Sequence, residues 1–234
     1  MRLKNMLAYS LNSYKKVFVS LAVTYFCTAV FIFLLDLKEV KMNSVFSLVG
    51  SVVVIIVSWV YQEEFLSVSV ANSISRKTST ISMFIMGLIF SVSNSVVTIA
   101  GEYAMEKLTI KGMYTAKSLI AFADDRTLPF VTDLLLQITA YFFIVIMAVA
   151  LRILTIRFKK IEWVIWLTWF ISVSQSNQLL NAVYNFMHDK LLFDIAKTGN
   201  TFIFFWLLSL IFAVIIVLVT RRLPYQNYNN GTSK

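Results

Sequence analysis

The groups able to do chemistry in this 234-residue chain are few and scattered. Two acids stand side by side at Glu63-Glu64 and two more at Asp124-Asp125; the only histidine is His188 and the only cysteine Cys27. A metal needs several ligands converging at defined spacing. His188 has no such companion, and Asp124-Asp125 has no further ligands in register, so no metal is expected and the acid pair reads as part of a solvated loop. Cys27 cannot form an internal disulfide and lies inside an apolar run, where it packs as a small hydrophobe. A phosphate-binding loop needs two glycines five apart with lysine after the second. The six glycines, at 50, 87, 101, 112, 199 and 231, contain no such pair. No catalytic residues and no bound cofactor are therefore expected of this chain, and any nucleotide energy would enter through a second protein.

The elements available to position these residues are apolar. Hydrophobic residues make up 59% of the chain and charged ones 14%, against about 25% charged in a soluble domain. The pattern describes an all-α integral membrane protein with six spans, at about 17–35, 44–61, 81–100, 134–153, 163–180 and 201–220, each near the ~20 residues a helix needs to cross a bilayer. Residues 1–16 carry Leu3, Met6, Leu7, Leu11 and Tyr14 at helical spacing among polar neighbours, the pattern of an amphipathic interfacial helix. The first span is longer than a signal-peptide apolar core and is expected to stay as an anchor. Residues 111–122 suit a short surface helix in the connection after the third span, and 223–234 read as a flexible tail.

Two spans carry polar residues. The third contains Ser91, Ser93, Asn94 and Ser95; in the fifth, Ser174, Asn177, Gln178 and Asn181 recur every three to four residues. Such residues face other helices or a water-filled path rather than lipid, and the sequence leaves both roles open.

Between the second and third spans lies 62–79, QEEFLSVSVANSISRKTS. It opens on Glu63 and Glu64, offers Phe65, Leu66, Val68, Val70, Ala71 and Ile74 as grip for a partner, and closes on Arg76 and Lys77. Acid first and base last complement a helix dipole, although Leu66, Val68 and Val70 alternating with serines equally suit a short strand.

Glu64-Phe65 followed by Asn72-Ser73-Ile74-Ser75-Arg76-Lys77 resembles the segment after the second span in ABC-2-type exporter permeases of Gram-positive bacteria. That family's pattern is an acid and a phenylalanine, then Asn-Gly-(Val/Ile)-Ser-Arg-Lys; Ser73 stands here where glycine is common. The resemblance implies an ABC-2 (type V) exporter-like fold with an N-terminal elbow helix and, at 185–200, a short re-entrant element before the last span. It also implies that Glu63, Glu64, Phe65, Asn72, Ile74, Ser75, Arg76 and Lys77 couple to a cytoplasmic ABC ATPase that binds ATP and Mg. The permease would work as a dimer with a second copy of itself or a homologous permease. Within the family the chain is similar to permeases exporting amphipathic cytolytic peptides such as phenol-soluble modulins, and next to lantibiotic self-immunity permeases.

Charge orients the six spans. The N-terminus, 62–79, the connection after the fourth span and the tail hold thirteen bases against Glu63, Glu64 and Glu162; the remaining segments hold eight bases and nine acids. The positive-inside rule makes the first group, with both termini, cytoplasmic at the plasma membrane. It also accounts for the net charge of +9 without nucleic acid. Two other classes fit less well. An intramembrane enzyme of the CAAX-protease type uses Glu-Glu-x-x-x-Arg, and the arginine position here is Val68. An ion-coupled carrier keeps charged residues inside its spans, whereas the acids here fall in connections or at span ends.

Overall fold

Apolar runs without glycine or proline set the architecture: nothing between Leu3 and Leu37 interrupts a helix. In the computed structural model this becomes α1 (Leu3–Leu37), one helix of 35 residues. The structure describes residues 3–43, 45–71, 75–110, 112–115, 130–158, 164 and 198–221. After α1 come β1 (Met42–Asn43), α2 (Val45–Ala71), α3 (Arg76–Leu108), β2 (Tyr114–Thr115), α4 (Phe130–Arg157) and α5 (Thr198–Arg221).

Among the described residues the regular structure is helical apart from β1 and β2, which pair parallel as Met42↔Tyr114 and Asn43↔Thr115. Among the described residues three helices are long and apolar enough to cross a membrane: α3, α4 and α5 from Gly199. Shorter apolar stretches occupy Leu21–Leu37 of α1 and Val45–Val60 of α2. This is a membrane-embedded architecture. The six expected spans are not all among the described residues; the fifth, at 163–180, lies outside them except for Val164, as do most of the re-entrant segment 185–200 and the tail.

Four expectations change. The interfacial helix of residues 1–16 and the first span are continuous in α1, because no residue there breaks the hydrogen-bond ladder. Segment 62–79 is not one surface element: α2 runs on through Ala71, which removes the strand alternative, and α3 begins at Arg76. The surface helix expected over 111–122 gives way at Tyr114–Thr115 to extended backbone paired with β1. Thr198–Asn200 belong to the first turn of α5 rather than to a re-entrant element.

Helix ends follow local chemistry. Ser75, in extended geometry, caps α3 by accepting a hydrogen bond from the Thr78 amide at 3.2 Å. Asp133 lies in the first turn of α4 and Arg157 in its last, matching the helix dipole. At 1.5 Å per residue α3 is about 50 Å long, well beyond a hydrocarbon core of ~30 Å, so its ends reach past the lipid. The core lies among α1 to α5 around Tyr25, Phe46, Met86, Phe90, Tyr141, Ile153 and Ile216. Within it α5 packs chiefly against α4, with tilted ring pairs of Phe143 with Phe205 and Phe212 and of Phe142 with Trp206.

Candidate functional site

The described charges separate to the two ends of the bundle. At one end Arg76 and Lys77 open α3, and the Arg76 guanidinium donates to the backbone carbonyl of Arg221 in the last turn of α5. Arg152 of α4 lies over the Trp59 ring of α2, 5.1 Å from its centroid, a cation–π contact that ties the last two turns of α4 to the middle of α2. Arg157 ends α4 at the same side. This basic end is where segment 62–79 lies.

The residues named for coupling divide accordingly. Glu63, Glu64 and Phe65 are in the last turns of α2; Asn72 and Ile74 lie outside the described residues. Ser75 is the N-cap, its hydroxyl also 2.8 Å from Thr78 Oγ1. Arg76 is half-buried and Lys77 exposed. Both line a cleft of about 430 Å³ between the start of α3 and the end of α5, with Arg221 opposite them.

The other end is built on acids. Asp36, fully buried at the end of α1, accepts from the Ile110 amide at 2.8 Å and the Met113 amide at 3.1 Å. Gly112, between them in the chain, has φ +65°, which a side chain would strain. Glu102 is 4% exposed on α3; one oxygen accepts from the Ser47 amide at 2.8 Å and the other from the Tyr114 hydroxyl. Ser47 lies in the first turn of α2, so Glu102 satisfies a helix-start amide that has no intrahelical partner. Burial, then the hydrogen bond to Glu102, pushes the Tyr114 hydroxyl well above the ordinary tyrosine range, so it stays protonated as the donor.

From Glu102 a buried hydroxyl network runs inward across four helices. Gln137 Nε2 donates to Ser47 Oγ at 3.1 Å and to the Tyr141 hydroxyl at 3.3 Å. The Tyr141 hydroxyl donates to the Ser47 carbonyl at 3.2 Å and lies 3.3 Å from Thr98 Oγ1. Thr98 is 2.8 Å from the Tyr25 hydroxyl, which donates to Asn94 Oδ1 at 2.9 Å. All this converges on Gly50: a Cβ there would collide with the Tyr141 hydroxyl and come within 2.9 Å of Thr98 Oγ1 and the Tyr25 hydroxyl.

Asn94 is thus seated where α1, α2 and α3 meet, 2% exposed. Ser91 and Ser95 are buried and bond back to the Gly87 and Ser91 carbonyls at 2.7 Å. Ser174, Asn177, Gln178 and Asn181 lie outside the described residues.

The sequence reading missed Asp36, Glu102, Gln137 and Tyr141. Glu102 had been assigned to a connection, but α3 continues through it to Leu108. A signal existed: Asn94, Thr98 and Glu102 are spaced by four, and so are Gln137 and Tyr141, which puts each set on one side of its helix. Among the described residues no group of three or more His, Cys, Asp or Glu is placed to hold a metal. What the arrangement does chemically is fix helices at the acidic end and present cations at the basic end. The sequence matches no protein-family model, no curated protein and no solved structure.

Proposed function

We propose that this chain is the transmembrane subunit of an ATP-driven exporter, with six spans per chain and two chains per transporter. The basic end would face the cytoplasm, and a separate ABC ATPase would grip residues 63–77. One observation carries the reading: the motif-bearing segment covers the last turns of α2 and the start of α3, at the end where Arg76, Arg152, Arg157 and Arg221 lie. A soluble partner pressing on that segment would act on α2 and α3 directly and on α5 through the Arg76–Arg221 contact. The passenger class is amphipathic peptide of the cytolytic, phenol-soluble-modulin kind, with lantibiotic self-immunity as the nearest alternative. The predominantly neutral, aromatic packing of α4 against α5 suits such a passenger better than an ion.

Glu102 favours a second reading, an ion-coupled carrier, since it is a buried acid on a long apolar helix. Both its oxygens, however, already accept hydrogen bonds, one of them from a helix-start amide, so it serves as a structural clamp. The test is labelling of Ser75→Cys in a Cys27→Ser background with a membrane-impermeant maleimide. Reaction only in inverted vesicles supports the exporter, and reaction only in intact cells refutes it.

A further inference from the structure

The cleft at the basic end has chemistry of its own. Three cations, Arg76, Lys77 and Arg221, border it, and no carboxylate is among its lining residues. Thr220, which also lines it, is 4% exposed, and its Oγ1 is buried with no hydrogen-bond partner among the described residues. A buried hydroxyl without a partner is costly, and Thr220 is among the residues lining a cationic cavity at the start of a long helix, whose dipole favours an anion. Below the cations the lining turns apolar, with Ile81, Phe84 and Val217. Exposed apolar residues continue away from it along both helices, Leu88 on α3 and Val214 on α5 among them.

We propose that this cleft binds a phosphate-bearing anionic group, with the three cations neutralising it and the Thr220 hydroxyl donating to one of its oxygens. The apolar lining favours the headgroup of an anionic phospholipid over free phosphate, because an acyl chain leaving the cleft would lie along α3 and α5. The proposal does not depend on the exporter reading, and its assay contains no ATPase.

The test uses the full chain in detergent, titrated with phosphatidylglycerol and, separately, with inorganic phosphate, and read by native mass spectrometry. Phosphatidylglycerol should be retained at least tenfold over phosphatidylcholine. Thr220→Val should weaken retention about tenfold, as loss of a hydrogen bond to a charged group does, and Thr220→Ser should restore it. Lys77→Gln, at an exposed position, should weaken it about fivefold. Inorganic phosphate that binds and displaces the lipid would keep the site and make free phosphate a ligand; failure to compete would assign it to lipid. Equal retention of both lipids, or unchanged retention in Thr220→Val with an unchanged thermal midpoint, overturns the proposal.

Discussion

Replacing Gly50 with alanine should destabilise this protein, although alanine is the better helix former by about 1 kcal/mol. The new methyl would overlap the Tyr141 hydroxyl and crowd those of Thr98 and Tyr25. Overpacking a tight site costs about 1–3 kcal/mol. Displacing the Tyr141–Thr98 and Tyr25–Thr98 contacts adds about 0.6 kcal/mol each on the scale of hydrogen bonds within membranes. After subtracting the propensity gain, the net loss is about 1–3 kcal/mol, or a fall of about 3–10 °C in the thermal midpoint, read from tryptophan fluorescence in detergent. Gly199→Ala, with nothing within 4 Å among the described residues, is the control and should leave the midpoint unchanged or slightly higher. Tyr141→Phe removes the oxygen that collides, so the double substitution should cost less than the sum of the singles. The reasoning is refuted if Gly50→Ala raises the midpoint as the control does, or if the two substitutions add.

Three further outcomes are expected. Glu102→Ala should cost about 2–3 kcal/mol by orphaning the Ser47 amide and the Tyr114 hydroxyl, whereas Glu102→Gln, which keeps an acceptor, should cost roughly half that; the comparison is made by thermal unfolding. Asp36→Ala should speed hydrogen exchange at Ile110 and Met113 by about tenfold or more while amides in the middle of α4 stay protected; uniform change along the chain would count against a local clamp. Phe65→Ala with Arg76→Ala should abolish co-purification of an ABC ATPase expressed from the same cells while membrane insertion is unchanged, and normal co-purification would remove the coupling assignment.

The apolar helices were legible because a residue run such as 134–153 leaves few alternatives to a buried or lipid-facing helix. Their ends were less so. Hydropathy stops where charges begin, yet α2 continues through Glu63-Glu64 to Ala71 and α3 through Glu102 to Leu108, because backbone hydrogen bonding does not end at the edge of an apolar run. The Ser75 cap could have marked the start of α3, since a serine just ahead of an apolar run is a helix-start signal. The acidic end was hidden for another reason. Asp36 and Glu102 look like surface charges in the chain, and only the folded positions of Ile110, Met113 and Tyr114 show that each carboxylate has backbone or tyrosine donors waiting. The pairing of β1 with β2 joins residues some seventy apart, which no local pattern encodes.

The Gly50 notch also locks helices together mechanically. Hydroxyls from three helices meet over it and over the backbone of the fourth, so α1 to α4 cannot slide past one another there without breaking several contacts at once. On α5, Ile216 and Val219 enter the same buried cluster while Phe205 and Phe212 pack on Phe143 of α4, and Arg76 links the start of α3 to the last turn of α5. Whatever drives this protein, α1 to α4 must therefore move at this level as one body.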